Sequence, residues 1–290
     1  MRFIKRYLEE ERMLKEKVLV FHLFVSDDFD TNDAYKIHAE CMKRYKDVFT
    51  DVRFIISVPD VTDRARVQKG IDWVMNIGFN VPITMKIVKN TVLCETDTLF
   101  DEVLNKLDTF DGLVCFAQGK GVSNFSEEPM AHGRSLESIA RWICALYYFN
   151  FNFMEDVDGK LFALRGIGEM FYGPCLGYNL DFPNKAHYKY CGTFYWLNPV
   201  KFSEWMKEGK IVLPKVVDRY YAEDLPGNTC NRERWGDGIS SHGDVCFAGR
   251  DFDLYNMNKE KWVQWARIMK GEGFIEFSDD IIYNIGKEKV

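Results

Sequence analysis

The chain has 290 residues, 47% hydrophobic and 15% aromatic, which excludes a disordered polymer and leaves enough chain for one large domain or two small ones. A net charge of -6 and a pI of about 5.5 exclude a whole-molecule attraction to nucleic acid. Eight scattered cysteines with no C-x-x-C pair read as reduced thiols of a cytosolic protein, and no apolar run reaches membrane-spanning length.

The opening MRFIKRYLEEERMLKEK is charged throughout and lacks the apolar core of a signal peptide. It predicts a short amphipathic helix with Phe3, Ile4, Tyr7 and Leu8 on one side, packed on the domain edge. From Lys17 the run KVLVFHLFV predicts a strand buried on both faces, the pattern of a parallel sheet. Apolar residues at helical spacing between Asn32 and Phe49 predict a helix, RFIISV a second strand ending at Pro59, and Val61 to Ile77 a second helix. Ile83 to Val88 is a third strand, Thr98 to Leu107 a helix, and Leu113 to Ala117 a fourth strand.

This alternation predicts a parallel α/β sheet with right-handed crossovers, whose ligands bind at the carboxyl ends of the strands. Ser26-Asp27-Asp28, Pro59-Asp60, Lys89-Asn90 and Gln118-Gly119-Lys120-Gly121 then share one rim. Neither G-x-G-x-x-G nor a Walker motif stands there, which removes the best support for dehydrogenase and P-loop readings. His22, inside the first apolar strand, reads as a satisfied core histidine.

Past a polar stretch from Ser123 to Arg134, a helix capped by Ser135 is expected to run through Trp142 toward Phe151. Strand-like pieces follow at Leu161 to Leu164 and Met170 to Tyr172. The run Gly192-Thr193-Phe194-Tyr195-Trp196 has strand composition, and Asn198 with Pro199 predicts a capped helix directly after it. A short apolar run from Ile211 to Leu213 precedes Arg219, two tyrosines and the acids Glu223 and Asp224, which Pro226-Gly227 closes. Gly227 to Asp251 reads as a long loop or lid, and Asn258 caps a final helix with Trp262, Trp265 and Ile268 on one side, ended by Gly271.

The order GTFYWLNP, then R-Y-Y-A-E, resembles the second half of GT-A-type glycosyltransferases of bacteria and bacteriophages, where a Gly-x-Phe-Trp-like strand precedes Arg-Tyr-x-x-Glu. LVCFAQGKGVS, with the helix carrying Arg141-Trp142, is similar to the same family's apolar strand ending in His-x-Lys-Gly and its Arg-Trp helix. The likeness covers about residues 110 to 228, and this chain departs from it by carrying Ala117-Gln118-Gly119-Lys120 where the family has a histidine. The resemblance implies a single GT-A-like, Rossmann-like domain with a mostly parallel sheet flanked by helices. Residues 1–121 would form its nucleotide-sugar-binding half and 122–290 the acceptor and catalytic half.

On that reading a sugar passes from a nucleotide-diphosphate donor to an acceptor hydroxyl, and Glu223 and Asp224 are the candidates for the base, Glu223 falling on the family's glutamate. Two solvated acids before a Pro-Gly turn are the plain alternative. Asp27, Asp28, Lys120 and Arg219 are candidate donor contacts, Lys120 through its charge and the N–H groups of its glycine neighbours. Tyr195 and Trp196 point to opposite faces, so one of the two is free to stack on a sugar or base. A divalent ion, Mn²⁺ or Mg²⁺, would take Asp156 and Asp158 of an Asp-x-Asp triplet, with His242 as a late ligand. Asp27-Asp28 and Asp251-Phe252-Asp253 rival that triplet, and a surface turn before Gly159 is the favoured reading of it.

The acceptor implied first is a polysaccharide or lipopolysaccharide glycan, and the second is hydroxymethylated bacteriophage DNA. The second requires a local basic groove, for which Arg134, Lys160, Lys185, Lys189, Arg232 and Arg234 are available. A carbohydrate- or nucleotide-binding module without turnover is the reading from another class. A metal-dependent hydrolase lacks a motif such as H-E-x-x-H to support it.

Overall fold

The structure is a computed structural model that describes residues 16–119, 136–152, 171–173, 176–178, 188–190, 192–214, 217–229, 257–269 and 271–287. Its centre is the apolar strand β1 (Lys17–Phe24), flanked in parallel by β2 (Asp51–Val58) on one side and β4 (Leu113–Gln118) on the other. β3 (Ile83–Lys89) pairs in parallel with β2 at one edge. Across β4 lies β8 (Tyr195–Leu197), antiparallel to it, and then β5 (Phe171–Tyr172), antiparallel to β8. The sheet order is β3-β2-β1-β4-β8-β5. A separate hairpin joins β6 (Leu176–Tyr178) to β7 (Tyr188–Tyr190).

The fold is therefore α/β with a mostly parallel sheet flanked by helices, and both halves of the chain contribute strands to that one sheet. Because β1 leads outward to β2 and β3 and the chain then returns to place β4 on the other side, the order of the strands reverses between β1 and β4. Such a switch point opens a crevice at the carboxyl edge.

Alternate residues of the strands feed two cores. Leu19, Phe21 and Leu23 of β1 pack under α1 (Asp33–Tyr45), α2 (Arg64–Ile77) and, from the second half, α4 (Leu136–Phe151). α7 (Lys259–Ile268) and α8 (Phe274–Lys287) complete that layer. Val18 and Val20 face the other way, under α3 (Cys94–Glu102), α5 (Pro199–Lys207) and α6 (Tyr221–Thr229). Local chemistry sets the helix starts: Asn32, Asp63, Asn198 and Asn258 each accept a backbone N–H from the first turn that follows.

Several expectations are corrected. The helix after β3 begins at Cys94, four residues before Thr98, and a 3₁₀ segment, Leu104–Thr109, replaces its last turn. Asn258 does not cap the final helix, since α8 follows it; and while Trp262 and Trp265 are fully buried, Ile268 is exposed and does not share their side. Pro226-Gly227 does not close the segment at Glu223-Asp224, because α6 continues through both to Thr229. The physical reason is local: Pro226 has no N–H to give the Ala222 carbonyl. The Tyr195 hydroxyl donates to that carbonyl instead, at 2.9 Å.

Cys41, Cys94, Cys115 and Cys144 are buried free thiols, and no helix among the described residues is long and apolar enough to cross a membrane. The expected N-terminal helix and the strand at Leu161 to Leu164 lie outside the described residues, as does all but the start of the loop from Gly227 to Asp251.

Candidate functional site

On the α3/α6 side of the sheet the residues of β1 and β4 are apolar until the carboxyl edge, where their character changes. His22 of β1, Ser57 of β2, Gln118 of β4 and Thr193, two residues before β8, all stand on this face and are all buried. His22 and Gln118 are direct register partners across the switch point. The His22 Nε2 and Ser57 Oγ lie 2.9 Å apart, and the Gln118 Nε2 donates to the Thr193 Oγ1 at 3.0 Å. The result is a polar row across four adjacent strands, resting on Val18, Val20, Ile55, Val114 and Phe116.

Burial holds the His22 imidazole neutral by lowering its pKa from 6.5 to about 4, so the row carries no positive charge at neutral pH. Beside it, the Cys94 thiol at the start of α3 is pushed up by burial, against a contact with Ser57 that lowers it.

α6 brings Glu223 to the same end of the sheet. Glu223 is only 6% exposed, and Asp224 is half-buried. The Tyr195 phenol registers both Glu223 and Glu95 of α3: burial first, then the negative charge of Glu95, with Tyr221, Cys115 and Glu223 adding to it, raises its pKa well above the ordinary value. Tyr195 thus stays protonated and anchors α6 through Ala222. Glu95, one Oε of which is buried, is a carboxylate of this neighbourhood that sequence reasoning missed.

Other expected contacts fall elsewhere. Tyr195 and Trp196 do alternate faces, and both are buried: Tyr195 packs against Phe116 and Phe171, and Trp196 stacks on Phe49 and donates its Nε1 to the Asn150 carbonyl at 3.2 Å. Sheet layers cover both sides of β8, which leaves no open ring. Asp27 is exposed at the rim and paired with Arg66. Asp28 shapes the turn after β1, accepting from Ser26 and, at 2.8 Å, from Asn32. Arg219 is exposed just ahead of α6, its guanidinium 4.8 Å from the centre of the Tyr220 ring. Arg141 is buried within α4 and ties it to α8, donating to Ser278 at 2.7 Å and to Asp279 at 2.6 Å.

Among the described residues no group of three or more His, Cys, Asp or Glu side chains is placed to hold a metal ion. Lys120, Asp156, Asp158 and His242 lie outside those residues. What remains is an uncharged polar row at the carboxyl edge and a buried carboxylate, Glu223, on α6. No protein-family model matches the chain, and no curated protein matches it.

Proposed function

We propose that the chain is a GT-A-like glycosyltransferase that moves a sugar from a nucleotide-diphosphate donor to the hydroxyl of a glycan acceptor in the cytosol. The observation that carries this reading is the burial of Glu223 on α6, the helix that Tyr195 of β8 holds on the same side of the sheet as the polar row. Support also comes from the pairing of β4 with β8, which sets the two stretches that resemble glycosyltransferases side by side.

In this reaction Glu223 accepts the proton of the acceptor hydroxyl as its oxygen attacks the anomeric carbon, and the nucleoside diphosphate leaves. Arg219 and Asp27 stand at the rim for the donor, with Lys120 expected beside them, and Asp224 is the second carboxylate on the helix. A divalent ion, Mn²⁺ or Mg²⁺ held by Asp156, Asp158 and His242, would neutralise the leaving diphosphate.

The test joins binding to turnover. A panel of UDP-, GDP- and ADP-linked sugars, with and without Mn²⁺ or Mg²⁺, should raise the melting midpoint for one donor by about 5 °C at saturating concentration. Glu223→Gln should keep that shift and lose about 10²- to 10⁴-fold in sugar transfer. Full turnover by Glu223→Gln removes Glu223 from its role. A shift without any transfer to a panel of glycan acceptors points to a binding module, and no shift with any donor sinks the transferase.

A further inference from the structure

Thr193 carries a backbone φ of 49°, in the left-handed region that a β-branched residue enters only when its surroundings hold it there. It follows Gly192, whose φ of 101° suits glycine alone. A Cβ on Gly192 would stand 3.1 Å from Trp142 and 3.2 Å from Leu146, so the turn is clamped against α4. Glycine or asparagine at 193 would make the same turn with less strain. What threonine adds is a hydroxyl, and that hydroxyl accepts from the Gln118 carboxamide at 3.0 Å, buried at the end of β4. Gln118 in turn stands beside His22, across the seam where the strand order reverses.

We propose that Thr193 is a positioning residue, kept in a strained conformation so that its hydroxyl fixes the Gln118 carboxamide at the crevice between β1 and β4, where the carboxamide recognises uncharged groups of the donor's nucleoside. A carboxamide has both donor and acceptor atoms, and a neutral imidazole beside it extends the same uncharged hydrogen-bonding surface. Pinning one amide N–H to Thr193 leaves the rest of the group with a fixed direction, and a fixed polar group discriminates between ligands better than a rotating one. This assignment rests on the transferase reading.

The experiment is a double-mutant cycle on nucleotide affinity, read by calorimetry with UDP, GDP and ADP, with melting curves confirming that each variant folds. Thr193→Gly, which relieves the strain but deletes the hydroxyl, should weaken the nucleotide that binds wild type by about tenfold, the worth of one well-placed hydrogen bond. Gln118→Leu should lose at least as much, and the double variant no more than Gln118→Leu alone, because Thr193 acts only through Gln118. Thr193→Ser, which keeps the hydroxyl, should bind as wild type does, and the acceptor KM should not move in any variant. Additive losses, full affinity in Thr193→Gly, or a loss in Thr193→Ser equal to that in Thr193→Gly would each overturn the proposal. Silence of the wild-type protein toward all three nucleotides overturns the transferase reading and this assignment together, and the wild-type arm alone reveals it.

Discussion

The two sides of the sheet are built from alternate residues of the same strands, yet they end differently at the carboxyl edge. The α1/α4/α8 side is a continuous aromatic wall: Phe21 and Phe54 meet Trp73, Tyr147 meets Phe194, and Phe149 meets Trp265 and Phe274. Its histidine, His38, lies with Nδ1 2.8 Å from the Tyr147 hydroxyl. The α3/α6 side has a smaller core that gives way to His22, Ser57, Gln118 and Thr193. One side is closed by aromatic packing, and the other ends in the polar row on which the proposed function rests. Substitutions should therefore separate them.

The largest effect is expected in the wall. Trp142 is fully buried in α4 and closes over Gly192. Trp142→Ala should cost about 3–5 kcal/mol in urea or guanidinium unfolding, from lost transfer energy and the cavity left behind. Gln118→Leu, of similar burial on the other side, leaves the Thr193 hydroxyl unpaired and should cost about 1–2 kcal/mol, while weakening nucleotide binding by about tenfold or more. Equal stability losses at the two positions would erase the contrast between the faces.

His22 gives a pH-dependent version of the same contrast. Its folded pKa of about 4 lies below the unfolded 6.5, so between these values the unfolded chain binds the extra proton and stability rises with pH. The contribution is complete above pH 6.5 and is lost as pH falls toward 4, to a total on the order of 3 kcal/mol. Unfolding free energies measured across that range should slope less steeply in His22→Gln than in wild type. Glu223, Glu95, Cys94 and the other groups around the row stay the same in both, so the difference in slope reports His22. Parallel slopes would mean that the imidazole is not held neutral by the fold.

How much of this could be read in the sequence depends on the range of the cause. The first four strands show because each is an uninterrupted apolar run, and the helices between them because their apolar residues recur at helical spacing. The polar row does not show, because each member is a single polar residue near the end of a different strand, and only register brings His22 and Gln118 together. Thr193 sat within a predicted strand, since composition cannot reveal a positive φ. The helix α8 leaves a signal, Phe274, Ser278, Ile281 and Ile285 buried at helical intervals, yet the sequence reading stops at Gly271. That glycine does close the helix capped by Asn258, its N–H donating to the Ala266 carbonyl at 2.8 Å, and a further helix follows it.

The last effect tests a single contact that overrides helix propensity. Pro226 ought to break α6, and it does not, because Tyr195 reaches across from β8 to supply the hydrogen bond that the proline withholds from Ala222. Tyr195→Phe removes that donor and leaves a buried carbonyl unpaired, which should cost about 1–3 kcal/mol. In a Pro226→Ala background the helix can supply its own N–H to Ala222, so the same Tyr195→Phe change should cost less than about 0.5 kcal/mol, a non-additivity that urea melts of the four proteins resolve. An equal cost in both backgrounds would show that the hydroxyl acts elsewhere. Glu223 lies between Ala222 and Pro226, so the anchor also sets where the carboxylate stands. Tyr195→Phe should then lower sugar transfer while donor binding persists, which ties this buried hydrogen bond between β8 and α6 to the chemistry proposed for this side of the sheet.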